Sequence, residues 1–72
     1  MNSFQSVHAG PDVLVHNEGT VFLFHPLSAQ ATTWMDEHVQ PDALWLGSAL
    51  VVEYRYALDL AKGMKDSGLL LA

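Results

Sequence analysis

The chain contains no cysteine among its 72 residues, and this absence limits what can stabilise its fold. A domain of this size buries only about 60% of the surface of its unfolded chain, so such domains often rely on disulfides, a metal or oligomerisation. Disulfides and thiolate-bound zinc are excluded here. Half of the residues are hydrophobic, a large share for one small core to bury. The sequence therefore predicts a single domain that self-associates, most simply as a two-fold homodimer.

Basic residues are confined to the last third of the chain. Arg55, Lys62 and Lys65 stand against eight acidic residues, which gives a net charge of −5. Because phosphate backbones are bound through Lys and Arg, we expect no direct binding of nucleic acid. No apolar run approaches the roughly 20 residues of a membrane span, and the first residues lack the charge of a signal peptide. We expect a soluble, cytoplasmic protein that does not contact a membrane.

Two short β-rich runs, residues 13–15 and 21–24, are separated by Asn17-Glu18-Gly19. Glycine supplies the positive φ of a tight turn, so this segment predicts a β-hairpin that Pro26 ends. Residues 1–11 are rich in polar residues and end in Gly10-Pro11, which predicts a flexible N-terminal arm. The folded domain is expected over residues 12–72.

Two helices are predicted in the second half of the chain. Ser28 is a suitable N-cap for the first, which runs to about Val39. The second runs from about Tyr54 to Ser67, and Gly68 follows it as a left-handed C-terminal residue. Its predicted apolar face consists of Tyr54, Ala57, Leu58, Leu60, Ala61 and Met64.

The run Ala49–Val52 is apolar without alternation, which is typical of a central strand covered on both faces. The segment around Trp45 is either a short strand or a buried loop, and residues 69–71 form either an edge strand or a docked tail. Trp34 and Trp45 are expected in the core. The order β-β-α-β-α(-β) predicts a small α+β sandwich, a three- or four-stranded sheet with two helices on one face. The strand order stays open. Dimerisation would cover the other face or an edge.

The residues that could carry chemistry do not form a recognisable site. The histidines His8, His16, His25 and His38 match no short metal-binding spacing, and no serine lies in a nucleophile motif. We therefore expect no catalytic residue, no metal and no cofactor, and a protein that is not an enzyme. Whether His16 and His25, which could face each other across the hairpin, ever bind a metal is left open.

Two further sets of residues are candidates for a role. His38, in the last turn of the first helix, is expected to be structural and pH-sensitive, because a histidine there can meet free carbonyl groups. Polar residues that directly follow the buried strand form a candidate interaction surface: Glu53, Arg55, Tyr56 and Asp59. An ion pair internal to the fold is the favoured interpretation of Glu53 and Arg55. Stacking of Arg55 on Tyr56 is an equally good explanation of that aromatic residue.

A set of short motifs is spread over residues 13–70. It comprises Gly19-Thr20-Val21-Phe22-Leu23-Phe24, Pro26-Leu27, Trp34 with Asp36-Glu37-His38-Val39, Trp45 with Gly47, Leu50-Val51-Val52-Glu53 with Arg55-Tyr56, and Gly68-Leu69. This pattern resembles a family of short bacterial and phage proteins of unknown function. The resemblance implies a bacterial or phage origin, and it assigns no catalytic or binding residue.

These observations predict a small, non-enzymatic protein-interaction domain that associates with itself. The alternative is an acidic inhibitor from a phage or mobile element, of the anti-CRISPR or anti-restriction type, which would bind a nucleic-acid-handling protein complex. Its acidity and the absence of Lys and Arg from residues 1–54 favour this alternative. Against it, eight acids spread over 72 residues are a weak mimic of DNA.

Overall fold

A computed structural model describes residues 10–72, so most of the predicted arm, with His8, lies outside the described residues. The elements are β1 (Val13–Asn17), β2 (Val21–Pro26), α1 (Ala29–His38), β3 (Leu44–Leu46), β4 (Ala49–Glu53) and α2 (Tyr54–Asp66). The four strands form one antiparallel sheet in the order β1-β2-β4-β3. The predicted α+β fold is confirmed.

Strands β1 and β2 form the predicted hairpin, with Val15 opposite Phe24 and Asn17 opposite Phe22. The turn is fixed by a side chain and a glycine. Gly19 has φ +97°, and its backbone N–H donates to Asn17 Oδ1 over 2.8 Å. The asparagine side chain thus replaces a backbone acceptor at the residue where the chain reverses.

Strand β4 lies between β2 and β3, so the prediction of a central strand is confirmed. The segment around Trp45, which the sequence left open, is the short edge strand β3. A two-residue turn at Gly47 and Ser48 joins β3 to β4, with Gly47 at φ +61°. The prediction that Trp45 belongs to the core is wrong, since its side chain is 41% exposed. The edge strand has no neighbour on its outer side within the described residues, and this position leaves the indole partly open.

Helix α1 begins as predicted at Ser28, whose Oγ accepts from the backbone N–H of Ala31 over 3.1 Å. Ala31 and Met35 are the buried residues of this helix. Trp34 is half-buried and packs against the core, and its Nε1–H donates to Ser67 Oγ over 2.8 Å at the end of α2. One hydrogen bond therefore ties the two helices together.

Helix α2 packs with a narrower face than predicted. Ala57 and Met64 are buried, whereas Tyr54 and Leu58 are 67% and 78% exposed. The prediction that these two residues belong to the buried face is wrong because the helix lies over β2 and β4 and leaves their side of it uncovered. Gly68 ends the helix at φ +91°, as predicted.

The core lies between the two helices and one face of the sheet. It consists of Val13, Phe24, Ala31, Met35, Leu50, Ala57, Met64 and Leu69. Strands β1, β2 and β4 contribute Val13, Phe24 and Leu50 to this core, and the residues next to these along each strand point to the opposite face of the sheet. Both helices thus cover the same face.

The C-terminal residues run along the free edge of β1. Leu71 forms a parallel bridge with Val13, and the backbone N–H of Val15 donates to Ala72 O over 2.8 Å. The sequence left open whether residues 69–71 form an edge strand or a docked tail. The structure has an edge pairing that consists of a single bridge. Asp12 fixes this tail to α1: its carboxylate accepts from Ser28 Oγ over 2.7 Å and from the backbone N–H of Leu70 over 2.9 Å.

Candidate interaction surface

The face of the sheet that points away from the helices is largely apolar. Residues opposite each other in the register share a face, which gives two rows across the four strands. In one row Leu14 pairs with His25 and the buried Ala49 pairs with Leu46, and the other row is His16, Leu23, Val51 and Leu44. We call these eight side chains the outer face.

Leucines dominate the exposed area of the outer face. Leu44 and Leu46 are 66% and 65% exposed on the edge strand β3, and Leu14 is 44% exposed on β1. Leu23 and Val51 are half-buried between them, at the centre of the sheet. Isolated exposed leucines are common on protein surfaces, but a continuous apolar face is typical of an interaction site.

The charged and titratable groups of the outer face lie on one side of it. His16 Nε2 is 2.6 Å from Glu18 Oε2 in the hairpin turn, and both side chains are about half exposed. His25 is half-buried beside Leu14. The register does not bring the two histidines opposite each other, since His16 faces Leu23; they are diagonal neighbours on β1 and β2. The next pair along β2 and β4 is Val21 with Glu53, which lies just beyond the outer face.

Three of the four residues of the predicted interaction surface lie together at the start of α2. Arg55 Nη2 is 3.7 Å from Glu53 Oε1, and the guanidinium carbon lies 5.1 Å from the centre of the Tyr56 ring. Both contacts were expected from the sequence. The charged side chains of the pair are about two-thirds exposed, so the pair contributes little to stability. Asp59, one turn further, takes part in no ion pair within residues 10–72.

His38 lies on the outside of α1 and contacts two parts of Trp34. Its ring stacks on the indole with centroids 4.2 Å apart, and its Nδ1 donates to Trp34 O over 2.8 Å. His38 thus meets a carbonyl oxygen in the last turn of α1, and its predicted pH sensitivity stays a prediction. His38 and the outer face are separated by the sheet, so this histidine is not part of the surface.

A second apolar surface lies on the helix side of the sheet. An open groove of about 440 Å³ separates α2 from the β1–β2 hairpin. Phe22 and Tyr54 stack in it with their ring centres 6.2 Å apart, and Leu58 lies at its border. The Tyr54 ring covers part of the Phe22 surface, so this aromatic pair closes part of the groove.

The described residues form no arrangement suited to catalysis or metal binding. In residues 10–72, no three histidine, aspartate or glutamate side chains come together as metal ligands would. The exposed Glu18 lies beside His16, and within the same residues no third side chain joins these two as a metal ligand. Among the same residues, no helix has the length and apolarity needed to cross a bilayer.

Comparison with known proteins adds no assignment. No protein-family model matches this chain, and no curated protein and no solved structure shows significant similarity to it. The resemblance to short bacterial and phage proteins thus stays a prediction. The functional surface has to be inferred from the geometry of the chain itself.

Asp12 and the outer leucines of β3 are the residues whose roles the sequence did not reveal. Asp12 acts through Ser28 and Leu70, which are 16 and 58 residues away along the chain. No local pattern signals such contacts. The leucines Leu44 and Leu46 stand in an unbroken apolar run with Trp45, so the sequence offers no apolar/polar alternation from which the outward side of this strand could have been identified.

Proposed function

We propose that this chain is a non-enzymatic protein-interaction domain that self-associates through the outer face of its sheet. One observation carries the proposal: both helices cover the same face, and the opposite face exposes Leu14, Leu44 and Leu46 to water. The residues of β4 support it. Ala49–Val52 has the unbroken apolar pattern of a strand covered on both faces, and the helices cover only one of them.

A second copy of the chain suits this surface for a geometric reason. The outer face of a twisted sheet packs well against an identical face related by a two-fold axis, with about 10 Å between the sheets. At its centre, Leu23 and Val51 would meet leucines and valines of the other copy, and no carboxylate or ammonium group would be buried there. In such a dimer, the same apolar residues of the two copies would pack against each other.

The size of the patch sets the expected strength of the association. The outer leucines, with Leu23 and Val51, expose on the order of 400 Å² of apolar surface, as large as the largest patch of a typical monomer. Stable complexes bury about 800 Å² on each partner, so polar residues at the border have to contribute the rest. We therefore expect a reversible homodimer with a Kd on the order of micromolar.

The acidic-inhibitor alternative has weaker support. The eight acidic residues are distributed over the hairpin turn, α1, the loop after it, α2 and the strand ends. A mimic of nucleic acid needs its charges in closely spaced rows along one surface. Binding to a basic partner protein, a cytoplasmic location and a phage origin remain predictions.

The test compares two leucine substitutions that differ only in position. Leu46→Lys places a charge on the outer face, and Leu58→Lys places the same charge on the helix side. Both side chains are mostly exposed, so neither change removes a core contact. Sedimentation equilibrium from about 1 μM to about 1 mM at pH 7.5 covers the expected Kd.

We expect the wild type and Leu58→Lys to dimerise alike, and Leu46→Lys to weaken the dimer by about tenfold or more, because the introduced ammonium group would be buried without a partner. A wild type that stays monomeric throughout this range contradicts self-association. Loss of the dimer in Leu58→Lys, with Leu46→Lys unaffected, would place the interface at the groove beside α2 instead.

A further inference from the structure

Two histidines lie on the outer face, and their surroundings differ. His16 is at the border, with Glu18 Oε2 2.6 Å from its Nε2, so a carboxylate can neutralise its charge. His25 is half-buried in the row that also contains Leu14, Ala49 and Leu46. Among the described residues, no carboxylate forms an ion pair with His25.

The groups that face His25 from the neighbouring elements are almost all apolar. On β1 they are Leu14 and, diagonally, His16; just before β1, the carboxylate of Asp12 already accepts hydrogen bonds from Ser28 and Leu70.

On the other side of β2, strand β4 offers Ala49, and its Glu53 lies opposite Val21 at the far end of the sheet. Strand β3 carries no titratable residue, and both helices are on the opposite face. Within the described part of the chain, no carboxylate thus forms an ion pair with His25, and the carboxylate of Asp12 is directed to Ser28 and Leu70.

We propose that protonation of His25 dissociates the dimer, so that self-association formed at neutral pH is lost as the solution becomes mildly acidic. The inference rests on the proposed function, because His25 loses its water only if another copy covers the outer face. Neutral imidazole can be buried between leucines, whereas imidazolium loses its hydration there without a partner. Each copy brings its own His25, and two like charges in one interface repel each other.

The direction of this effect is opposite to that of the overall charge. Each chain carries −5 at neutral pH and has an isoelectric point of about 4.9. Acidification toward pH 5.5 reduces this negative charge, which by itself favours association. A dimer that weakens on acidification therefore requires a specific group that is neutral in the dimer and protonated in the monomer. Among the side-chain types of the outer face, histidine is the one whose ordinary change of charge falls near this range.

The experiment measures the dimer Kd of the full chain by sedimentation equilibrium at pH 7.5 and pH 5.5. Four proteins are compared: the wild type, His25→Gln, His25→Leu and the matched control His16→Gln. For the wild type and His16→Gln, we expect the Kd to rise by about tenfold or more at pH 5.5, since the dimer binds fewer protons than two monomers. For both His25 variants, the Kd stays level or falls on acidification. The leucine variant keeps the test valid if glutamine itself weakens the dimer. Circular dichroism at both pH values checks that the monomer stays folded.

The outcomes distinguish a failure of the inference from a failure of the proposed function. A wild-type dimer that is equally tight or tighter at pH 5.5 overturns the role of His25 and leaves self-association standing. A pH dependence that persists in both His25 variants and disappears in His16→Gln assigns the effect to His16. This outcome also overturns the inference. A wild type that is monomeric at pH 7.5 overturns the proposed function, and the inference with it.

Discussion

Leu23 and Val51 lie directly opposite each other on β2 and β4, at the centre of the outer face. Their neighbours in the same row are His16 and the exposed Leu44. On the other side of these two strands, Phe24 and Leu50 are buried under the helices. The central strands are thus largely apolar on both sides, and within residues 10–72 the helices cover only one of these sides. This asymmetry is the physical basis for the proposed self-association.

Salt distinguishes an apolar dimer interface from one that opposite charges hold together. Two chains of charge −5 repel each other, and salt screens this repulsion. When NaCl is raised from about 50 mM to about 500 mM, we expect the Kd of the dimer to stay level or fall. Sedimentation equilibrium at the two concentrations measures it. A dimer that weakens by tenfold or more at high salt would mean that opposite charges hold it together, which contradicts an apolar interface.

Asp12 is expected to contribute to stability through its contacts with α1 and the C-terminal tail. Asp12→Ala removes the acceptors of Ser28 Oγ and Leu70 N–H. Hydrogen bonds to a charged group contribute about 1.5–3 kcal/mol each. The bond from Ser28 is part-buried and the bond from Leu70 is exposed, so we expect a loss of about 2 kcal/mol in the free energy of unfolding.

Urea denaturation measures this loss, and the Leu46→Lys background keeps dimerisation from adding to the apparent stability. Asp42→Ala serves as the control, because Asp42 is exposed in the loop between α1 and β3; its effect should stay within about 0.5 kcal/mol. Equal effects of the two substitutions would contradict the stabilising role of Asp12.

Two glycines of the second helix region should respond to alanine in opposite directions. Gly63 lies inside α2 with a negative φ, and an added Cβ would be 3.7 Å from the Trp34 ring, an ordinary contact distance. Gly63→Ala should therefore stabilise the fold by about 0.5–1 kcal/mol. Gly68 has φ +91°, so Gly68→Ala should destabilise it by about 1 kcal/mol. Thermal unfolding of both variants measures the changes, and a destabilised Gly63→Ala would show that the indole cannot accept the methyl group.

Arg55 tests the interaction surface predicted from the sequence. Its contacts with Glu53 and Tyr56 are exposed, so Arg55→Ala should change the free energy of unfolding by less than about 1 kcal/mol. The dimer Kd should stay within about twofold of the wild type, because Arg55 is not on the outer face. Chemical denaturation and sedimentation equilibrium measure the two effects. A dimer that depends on Arg55 would move the interface to the start of α2.

The sequence predicted the order of the elements except for β3, because each of the others has a local signal. Asn17 and Gly19 mark the hairpin, Ser28 and Gly68 mark the ends of helices, and the apolar run at β4 marks a central strand. What the sequence did not predict depends on contacts between distant segments. The position of α2 over β2 and β4 leaves Leu58 in water, although its helical spacing suggested burial.

The candidate surface was predicted only in outline. Excess apolar content indicated that one sheet face needs a partner, but the residues of that face follow from the register of four strands. The pairing of β2 with β4 places Leu23 beside Val51, which lies 28 residues further along the chain, and the β3–β4 hairpin then adds Leu44 to the same row. The sequence instead favoured polar residues at the start of α2, where the structure has an exposed ion pair.

The most direct measurement is a dilution series of the methyl-labelled protein by NMR at neutral pH. Between about 1 mM and about 10 μM, we predict concentration-dependent shifts for the methyl groups of the outer face, with little change for Leu58 on the opposite side. The responding residues should be Leu14, Leu23, Leu44, Leu46 and Val51. Spectra that do not change over this range, or changes confined to Leu58 and the groove beside α2, would contradict the central claim that the outer face is where two copies meet.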